Sequence, residues 1–287
     1  MANAYQMVTD RIIEQMKKGI VPWHQPWVGG SAMAISYTTR KAYSMLNQLL
    51  LGKPGEWITW NHIQAKKGKV KAGAKSRFCV YCQFVEKPEI DEDGEKKRDG
   101  YLILKWYRVF HIDDTEGIES LSKATIPGNS LSPIEQAEQA IDGYLSRESS
   151  LRFINDQPSA SAYYSPSKDE VVVPMLSQYA LAEEYYSTAF HELTHSTMHA
   201  ARCNRQSESV ITRFGDSAYS REELVAEIGS AMLCNRLGIE HEKAFKNSAA
   251  YIQSWLKALK NDNRMIVWAA KKAEEAAKYV LGEERAV

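Results

Sequence analysis

Residues 189–195 read Ala189-Phe190-His191-Glu192-Leu193-Thr194-His195, within a run from Leu181 to Ala200 that contains neither glycine nor proline. The run predicts a helix. Ala189, Phe190, Leu193 and Thr197 then fall on one inward face at helical spacing. His191 and His195, four residues apart, share another face and can grip one metal ion, leaving Glu192 beside the ion's open position. Neutral imidazole is a good ligand for zinc, with Zn–N distances of ~2.0–2.1 Å. A hydrolytic site needs a third protein ligand, a place for water, and a base within reach of that water. Glu192 is the candidate base. The competing reading is two surface histidines spaced four apart by chance.

A third ligand is available downstream in Tyr219-Ser220-Arg221-Glu222-Glu223-Leu224-Val225-Ala226-Glu227-Ile228-Gly229-Ser230-Ala231. Glu223 and Glu227 lie on one helical face beside Ala226, Gly229, Ser230 and Ala231, small residues that let two helices approach closely. Glu223, in preference to Glu227 as the alternative third ligand, is expected to complete a His2Glu site for one Zn²⁺, and Glu227, one turn on, to hydrogen-bond a ligand imidazole. Ser220 as an N-cap with Glu223 in a capping box is the structural alternative. The pattern resembles the gluzincin metallopeptidases, in which a second helix supplies the glutamate ligand. Upstream, Ala162-Tyr163-Tyr164 and Val171-Val172-Val173 flank a polar turn and predict a β-hairpin. In zincins an edge strand lies over the active-site helix, so Tyr163 or Tyr164 is a candidate cleft residue. Tyr219 is a weaker candidate for stabilising an oxyanion, and His199 reads as a partly exposed helix residue.

The chain of 287 residues is long enough for two domains. It contains no apolar run long enough to span a membrane. Four cysteines in this length make no disulfide framework, and the N-terminal residues show no signal-peptide pattern, so a bacterial cytoplasmic location is expected. Cys79-Val80-Tyr81-Cys82 has no second pair and is read as buried thiols rather than a zinc ribbon. The zero net charge conceals an asymmetry. Residues 1–112 carry 18 Lys/Arg against 10 Asp/Glu, and residues 113–287 carry 18 against 26. A basic half is joined to an acidic one.

In the basic half, Tyr5 to Lys18 predicts an amphipathic helix burying Val8, Ile12, Ile13 and Met16. Short helices are expected at 44–51 and 61–68, and strands at 77–84 and 101–111. The charged stretch 86–100 reads as a long mobile loop. Residues 61–80 hold six basic side chains and no acidic one. Cations among aromatic rings suit single-stranded nucleic acid: the cations neutralise phosphates, and the rings stack on bases for about 1–3 kcal/mol each. The candidate cations are Arg40, Lys41, Lys66, Lys67, Lys69, Lys71, Lys75 and Arg77. The candidate rings are Trp23, Trp27, Tyr43, Trp57 and Trp60. Core packing by the same aromatics is the competing reading.

Ile20-Val21-Pro22-Trp23 with Trp27, Tyr43 with Asn47, Trp57-Ile58-Thr59-Trp60 with Gln64-Ala65, and Gly68-Lys69-Val70-Lys71-Ala72-Gly73 together resemble the single-stranded-DNA-binding domain of ArdC-type antirestriction proteins. His191–His195 and Glu222–Glu227 resemble that family's zincin-like domain, in the family's order, so the likeness covers nearly the whole chain. Trp60, Ala72 and the 86–100 stretch depart from it without touching the metal motif. The resemblance implies a protein of plasmids and other mobile elements that guards incoming single-stranded DNA against restriction. The expected fold is α+β. A small basic α+β domain (1–112) binds single-stranded DNA and a linker follows (113–131). Residues 132–287 form a mostly helical zincin-like (gluzincin) domain with a small β-sheet. The expected partners are single-stranded DNA and an unknown protein substrate, with no membrane. A non-catalytic DNA-binding protector with a zincin scaffold is the alternative.

Overall fold

The computed structural model describes residues 3–24, 33–90, 96–121, 133–205, 217–239 and 249–283. Helix α1 (Ala4–Lys17) starts where Asn3 accepts a hydrogen bond from the Tyr5 amide. It buries Val8, Ile12, Ile13 and Met16, as its spacing predicts. A short 3-10 turn (Pro22–His24) then sets Trp23. Next come β1 (Ala34–Ser36), α2 (Met45–Leu51), β2 (Gly55–Thr59), α3 (Trp60–Ala65), β3 (Lys69–Val70), β4 (Arg77–Ile90), β5 (Lys96–His111) and β6 (Thr115–Glu116). The main sheet has the order β1-β2-β5-β4, parallel only between β1 and β2. Both of its edges would expose unpaired backbone groups, and α2 covers each with one amide side chain. Asn47 brackets Val80 on β4, donating to its carbonyl (2.9 Å) and accepting from its N–H (2.8 Å). Gln48 treats Ala34 on β1 in the same way, at 2.9 and 2.8 Å.

Two expectations for this half change. The β4–β5 ladder continues without a break to Ile90↔Lys96, so 86–90 and 96–100 are strand rather than loop. Antiparallel backbone bonding needs no apolar side chains. Only 91–95 of that stretch lie outside the described residues. The expected linker also begins as bound structure. Strand β6 pairs with β3, and Ser120 Oγ and the Leu121 N–H both donate to the buried Glu56 carboxylate, at 2.7 and 3.0 Å. Residues 122–132, with the Pro127-Gly128 pair, lie outside the described residues.

The second half contains α4 (Pro133–Arg147), β7 (Arg152–Ile154), β8 (Tyr163–Ser165), β9 (Glu170–Val172), α5 (Ala182–Ser196), α6 (Ser217–Leu237), α7 (Ala249–Asn261) and α8 (Met265–Leu281). Its sheet runs β7-β9-β8, which leaves β8 at the edge, packed beside α5. The predicted hairpin is thus present. Arg202, with a fully buried side chain, ties it to the helices. Its guanidinium donates to both Asp169 oxygens (2.8 and 2.6 Å), to Glu148 (2.9 Å) and to the Ser196 carbonyl (2.8 Å). Helix α5 ends at Ser196, four residues before the expected end. Ser196 and Thr197 hydroxyls bond back to the Leu193 and Thr194 carbonyls, and His199 lies beyond the helix. Helix α6 starts at Ser217, so Ser220 stands inside it and is not its N-cap.

The two halves share one core. Trp23 meets Trp255 of α7 edge-on at 6.2 Å, and α1 lies against α7 and α8. Thr9 Oγ1 donates to the Asn263 carbonyl (2.9 Å), and Glu274 of α8 accepts from the Met45 amide (2.9 Å). Opposite net charges in the two sequence halves therefore meet across an apolar contact. Among the described residues no helix is long and apolar enough to cross a membrane.

Candidate metal centre and nucleic-acid face

Helices α5 and α6 cross at small residues. A Cβ placed on Gly229 would lie 2.6 Å from Thr194 Cγ2, so only glycine permits this approach. The next residue, Ser230, donates from its Oγ to the Ser187 carbonyl at 2.7 Å, two turns before Thr194 on α5. The crossing brings Glu223 to the two histidines. His191 Nε2 and His195 Nε2 are 3.2 Å apart, and Glu223 oxygens lie 3.6 Å from the first and 3.4 Å from the second. A tetrahedral ion with bonds of ~2.0–2.1 Å has donor–donor edges of ~3.3 Å, close to the separation of the two imidazole nitrogens, and Glu223 turns a different oxygen to each ring, Oε2 to His191 and Oε1 to His195. Among the described residues this is the one cluster of His, Cys, Asp and Glu that brings three such donors together. The three side chains keep 19%, 14% and 26% of their surface.

The electrostatics favour a cation. Burial opposes charge on His195, yet the Glu222 and Glu223 carboxylates outweigh it and hold the imidazole up at about 10. His191 is also raised: burial works against it, while Glu223, Glu227 and Glu192 favour the charged ring. Burial would raise Glu223, but the two imidazoles beside it hold its carboxyl far below the usual range. Carboxylates surround the two imidazoles, and the nitrogen and oxygen donors suit a divalent transition metal. Glu192 sits buried between the histidines.

A second carboxylate joins the expected one. Glu227, one turn beyond Glu223, favours the charged form of His191. Glu222 stands on the far side of the other imidazole, 3.6 Å from His195 Nδ1. Glu222 is in turn clamped by the buried Arg205, whose Nε and Nη2 donate to its two oxygens at 3.2 and 2.7 Å. Arg205 also donates to Thr197 Oγ1 (2.8 Å) and to the Thr194 carbonyl (3.1 Å). Nothing in the sequence marks Arg205, which lies ten residues past the motif in a loop. Tyr163 is exposed on the edge strand, whereas Tyr164 donates to Asp169 and belongs to the hairpin. The Tyr219 side chain lies outside the described residues.

The nucleic-acid candidates divide. Trp23 and Trp57 are 0% and 2% exposed, in the shared core and under the main sheet, and offer no ring face to a base. Tyr43 is half-buried against Trp57 and Tyr107, its hydroxyl pushed up by burial and by neighbouring Cys79. Arg40 is committed to the buried carboxylate of Glu56. Trp27 lies outside the described residues. Trp60 remains available at 49% exposure, beside Phe110. Lys41, Lys66, Lys67, Lys69, Lys71 and Lys75 are exposed, with Lys66 over the Tyr37 ring. Arg77 is half-buried over Trp57. Trp106, 42% exposed with the Arg108 guanidinium over it at 5.9 Å, is a further solvent-facing ring, which sequence reasoning did not single out. Cys79 and Cys82 point to opposite faces of β4, one buried and one exposed, and cannot share an ion.

Comparisons with known proteins fall on both halves. Residues 2–110 match the family described as the N-terminal domain of anti-restriction factor ArdC, and residues 144–272 match the zincin-like metallopeptidase family. Among solved structures, the antirestriction ArdC protein from the R388 plasmid, in a metal-free crystal structure, is 32% identical. The likeness covers 98% of this chain and 99% of that one, with a TM-score of 0.73. Its Mn(II)-bound structure is similar at 31% identity, 97% coverage of each chain and a TM-score of 0.72. A DNA primase TraC of Escherichia coli is 32% identical over 98% of this chain, which spans 27% of that protein's length. An uncharacterized protein, y4eC, of Sinorhizobium fredii (strain NBRC 101917 / NGR234) is 30% identical over 98% of this chain and 92% of its own length.

Proposed function

The chain belongs to the ArdC antirestriction family, and from that premise we propose that it is a zinc-dependent peptidase fused to a single-stranded-DNA-binding domain. It is carried by a mobile element and protects incoming DNA in the bacterial cytoplasm. The convergence of His191, His195 and Glu223 on one point supports this reading most strongly. His191, His195 and Glu223 would hold a single zinc ion, which would supply Lewis acidity toward water and a peptide carbonyl. Glu192 takes the proton from the attacking water and delivers it to the leaving amine. Glu222, anchored by Arg205, holds the His195 ring from its Nδ1 side, leaving Nε2 beside His191 and Glu223, where it would serve as a ligand. Strand β8, an edge next to α5, offers backbone groups to an extended protein substrate, with Tyr163 beside it. The exposed cations and Trp60 of the N-terminal half hold the strand, bringing the peptidase to proteins that act on the same DNA.

Cleavage of candidate protein substrates by wild type and Glu192→Gln, with and without single-stranded DNA, tests the reading. Glu192→Gln should keep the metal and bind DNA normally while cleaving nothing. If it still protects DNA in cells as well as wild type, the zincin domain serves as a scaffold and proteolysis is not part of protection.

A further inference from the structure

A concavity of about 450 Å³ lies between α1 and the end of the main sheet, lined by none of the three metal-site donors. Four cations from separate parts of the chain line it: Arg11 of α1, Lys53 before β2, Lys75 before β4, and Arg77 at the start of β4. Its floor is apolar, built on Leu50, Trp57 and Phe78. One carboxylate, Asp114, lines it. Lys53 is balanced by Asp113 (3.0 Å), and Arg11 by the exposed Glu14 (3.2 Å). Lys75 and Arg77 have no ion-pair partner among the described residues.

Arg77 is the informative member. Its guanidinium lies over Trp57 at 5.5 Å and is half-buried. Burial most of all, and Arg11 after it, push its pKa down against a smaller opposing pull from Asp114. Folding has thus gathered four cations and one carboxylate around a partly dry hollow, an excess of positive charge that a further anion would relieve. A guanidinium fixed by an aromatic ring is already ordered for forked hydrogen bonding to a phosphate. Sequence spacing nominated Lys75 and Arg77. Only the fold adds Arg11 and Lys53, 22 or more residues away along the chain.

We propose that this hollow is a phosphate site that seats a backbone phosphate of single-stranded DNA. The inference rests on the DNA-binding function proposed for the N-terminal half and adds where the strand is gripped. Such a grip is blind to base sequence and positions the strand, leaving base stacking to exposed rings such as Trp60.

The test uses the full chain and a fluorescein-labelled oligothymidylate, with anisotropy measured across a salt series. The double variant Arg11→Gln/Arg77→Gln should weaken binding roughly tenfold or more. Its plot of log affinity against log salt should flatten by about 0.7 for each phosphate that is no longer neutralised. Lys75→Glu, an exposed change that leaves the core alone, should weaken binding in the same direction. It decides the matter if the double variant fails to fold by circular dichroism. Wild-type affinity and slope in Lys75→Glu and in a folded double variant would overturn the site while leaving DNA binding intact. Failure of the wild-type chain itself to bind the strand would overturn the DNA-binding reading, and the strand as occupant with it.

Discussion

Replacing Gly229 with alanine tests how closely the two ligand helices must approach. The new Cβ would stand 2.6 Å from Thr194 Cγ2 and 2.9 Å from its Oγ1. Thr194 cannot swing aside easily, because it is fully buried and its hydroxyl donates to the Phe190 carbonyl at 2.7 Å. Ordinary van der Waals separation requires α5 and α6 to move apart by ~1 Å. Overpacking of this kind costs about 1–3 kcal/mol. Alanine recovers about 0.8–1 kcal/mol over glycine in a helix, so the net loss of stability is small, ~0–2 kcal/mol. The effect on metal is larger. His191 and His195 ride on α5 and Glu223 on α6, and metal–ligand distances tolerate only about ±0.2 Å. Gly229→Ala should therefore lower metal affinity by about 10–100-fold, read by competition with a chromogenic chelator alongside urea denaturation of the metal-free protein. Adding Thr194→Ala leaves only the Thr194 Cβ, at 3.3 Å, and should restore most of the affinity, a coupling visible in a double-mutant cycle. Gly229→Ala that is stabilised by about 1 kcal/mol with unchanged metal affinity would show slack between the helices and refute the argument.

Further outcomes follow from other parts of the structure. Glu222→Gln should bind metal about 10–100-fold more weakly while remaining folded. Arg205→Met, which leaves the Glu222 carboxylate buried without its clamp, should cost about 3–5 kcal/mol in denaturant melts. Burial would raise Asp169, but the Arg202 guanidinium outweighs it and holds the carboxyl below the ordinary range. Its stabilising contribution is therefore complete above the ordinary aspartate value of ~3.9 and is lost as pH falls through the lower folded value. Asp169→Asn should then destabilise at neutral pH, toward the lower end of ~3–5 kcal/mol because Glu148 still pairs with Arg202, and should flatten the acid limb of the stability curve. Trp60→Ala should weaken single-stranded DNA binding by about 1–3 kcal/mol without loss of stability. Trp57→Ala should instead destabilise the fold by about 3–5 kcal/mol.

The helical spacing of His191 and His195, the glutamate four residues ahead of Glu227, and the small residues beside them are enough to bring two helices and three donors together. Periodicity fixes which residues share a face, and the metal site is a matter of shared faces. The amphipathic pattern of α1 and the hairpin around Asp169 are legible for the same reason. Periodicity does not tell which of several aromatics a small sheet keeps for its own core. Trp23 and Trp57 look no different from Trp60 in sequence, yet two are buried and one is not. Nor does it show pairings made across the fold. Arg205 reaches Glu222 over 17 residues, Arg40 reaches Glu56 over 16, and Arg11 and Arg77 line one hollow only because α1 folds back over the sheet. The charged ribbon at 86–90 and 96–100 has the polarity of a loop, yet it pairs as strand in an unbroken antiparallel ladder.

Metal analysis of the purified protein tests the central claim most directly, with wild type set beside Glu223→Gln, Glu227→Gln and His191→Ala. The account predicts about one divalent ion per chain in wild type and in Glu227→Gln, with the ion lost from Glu223→Gln and His191→Ala. Retention of a full complement by Glu223→Gln, or no metal bound by wild type at all, would contradict it.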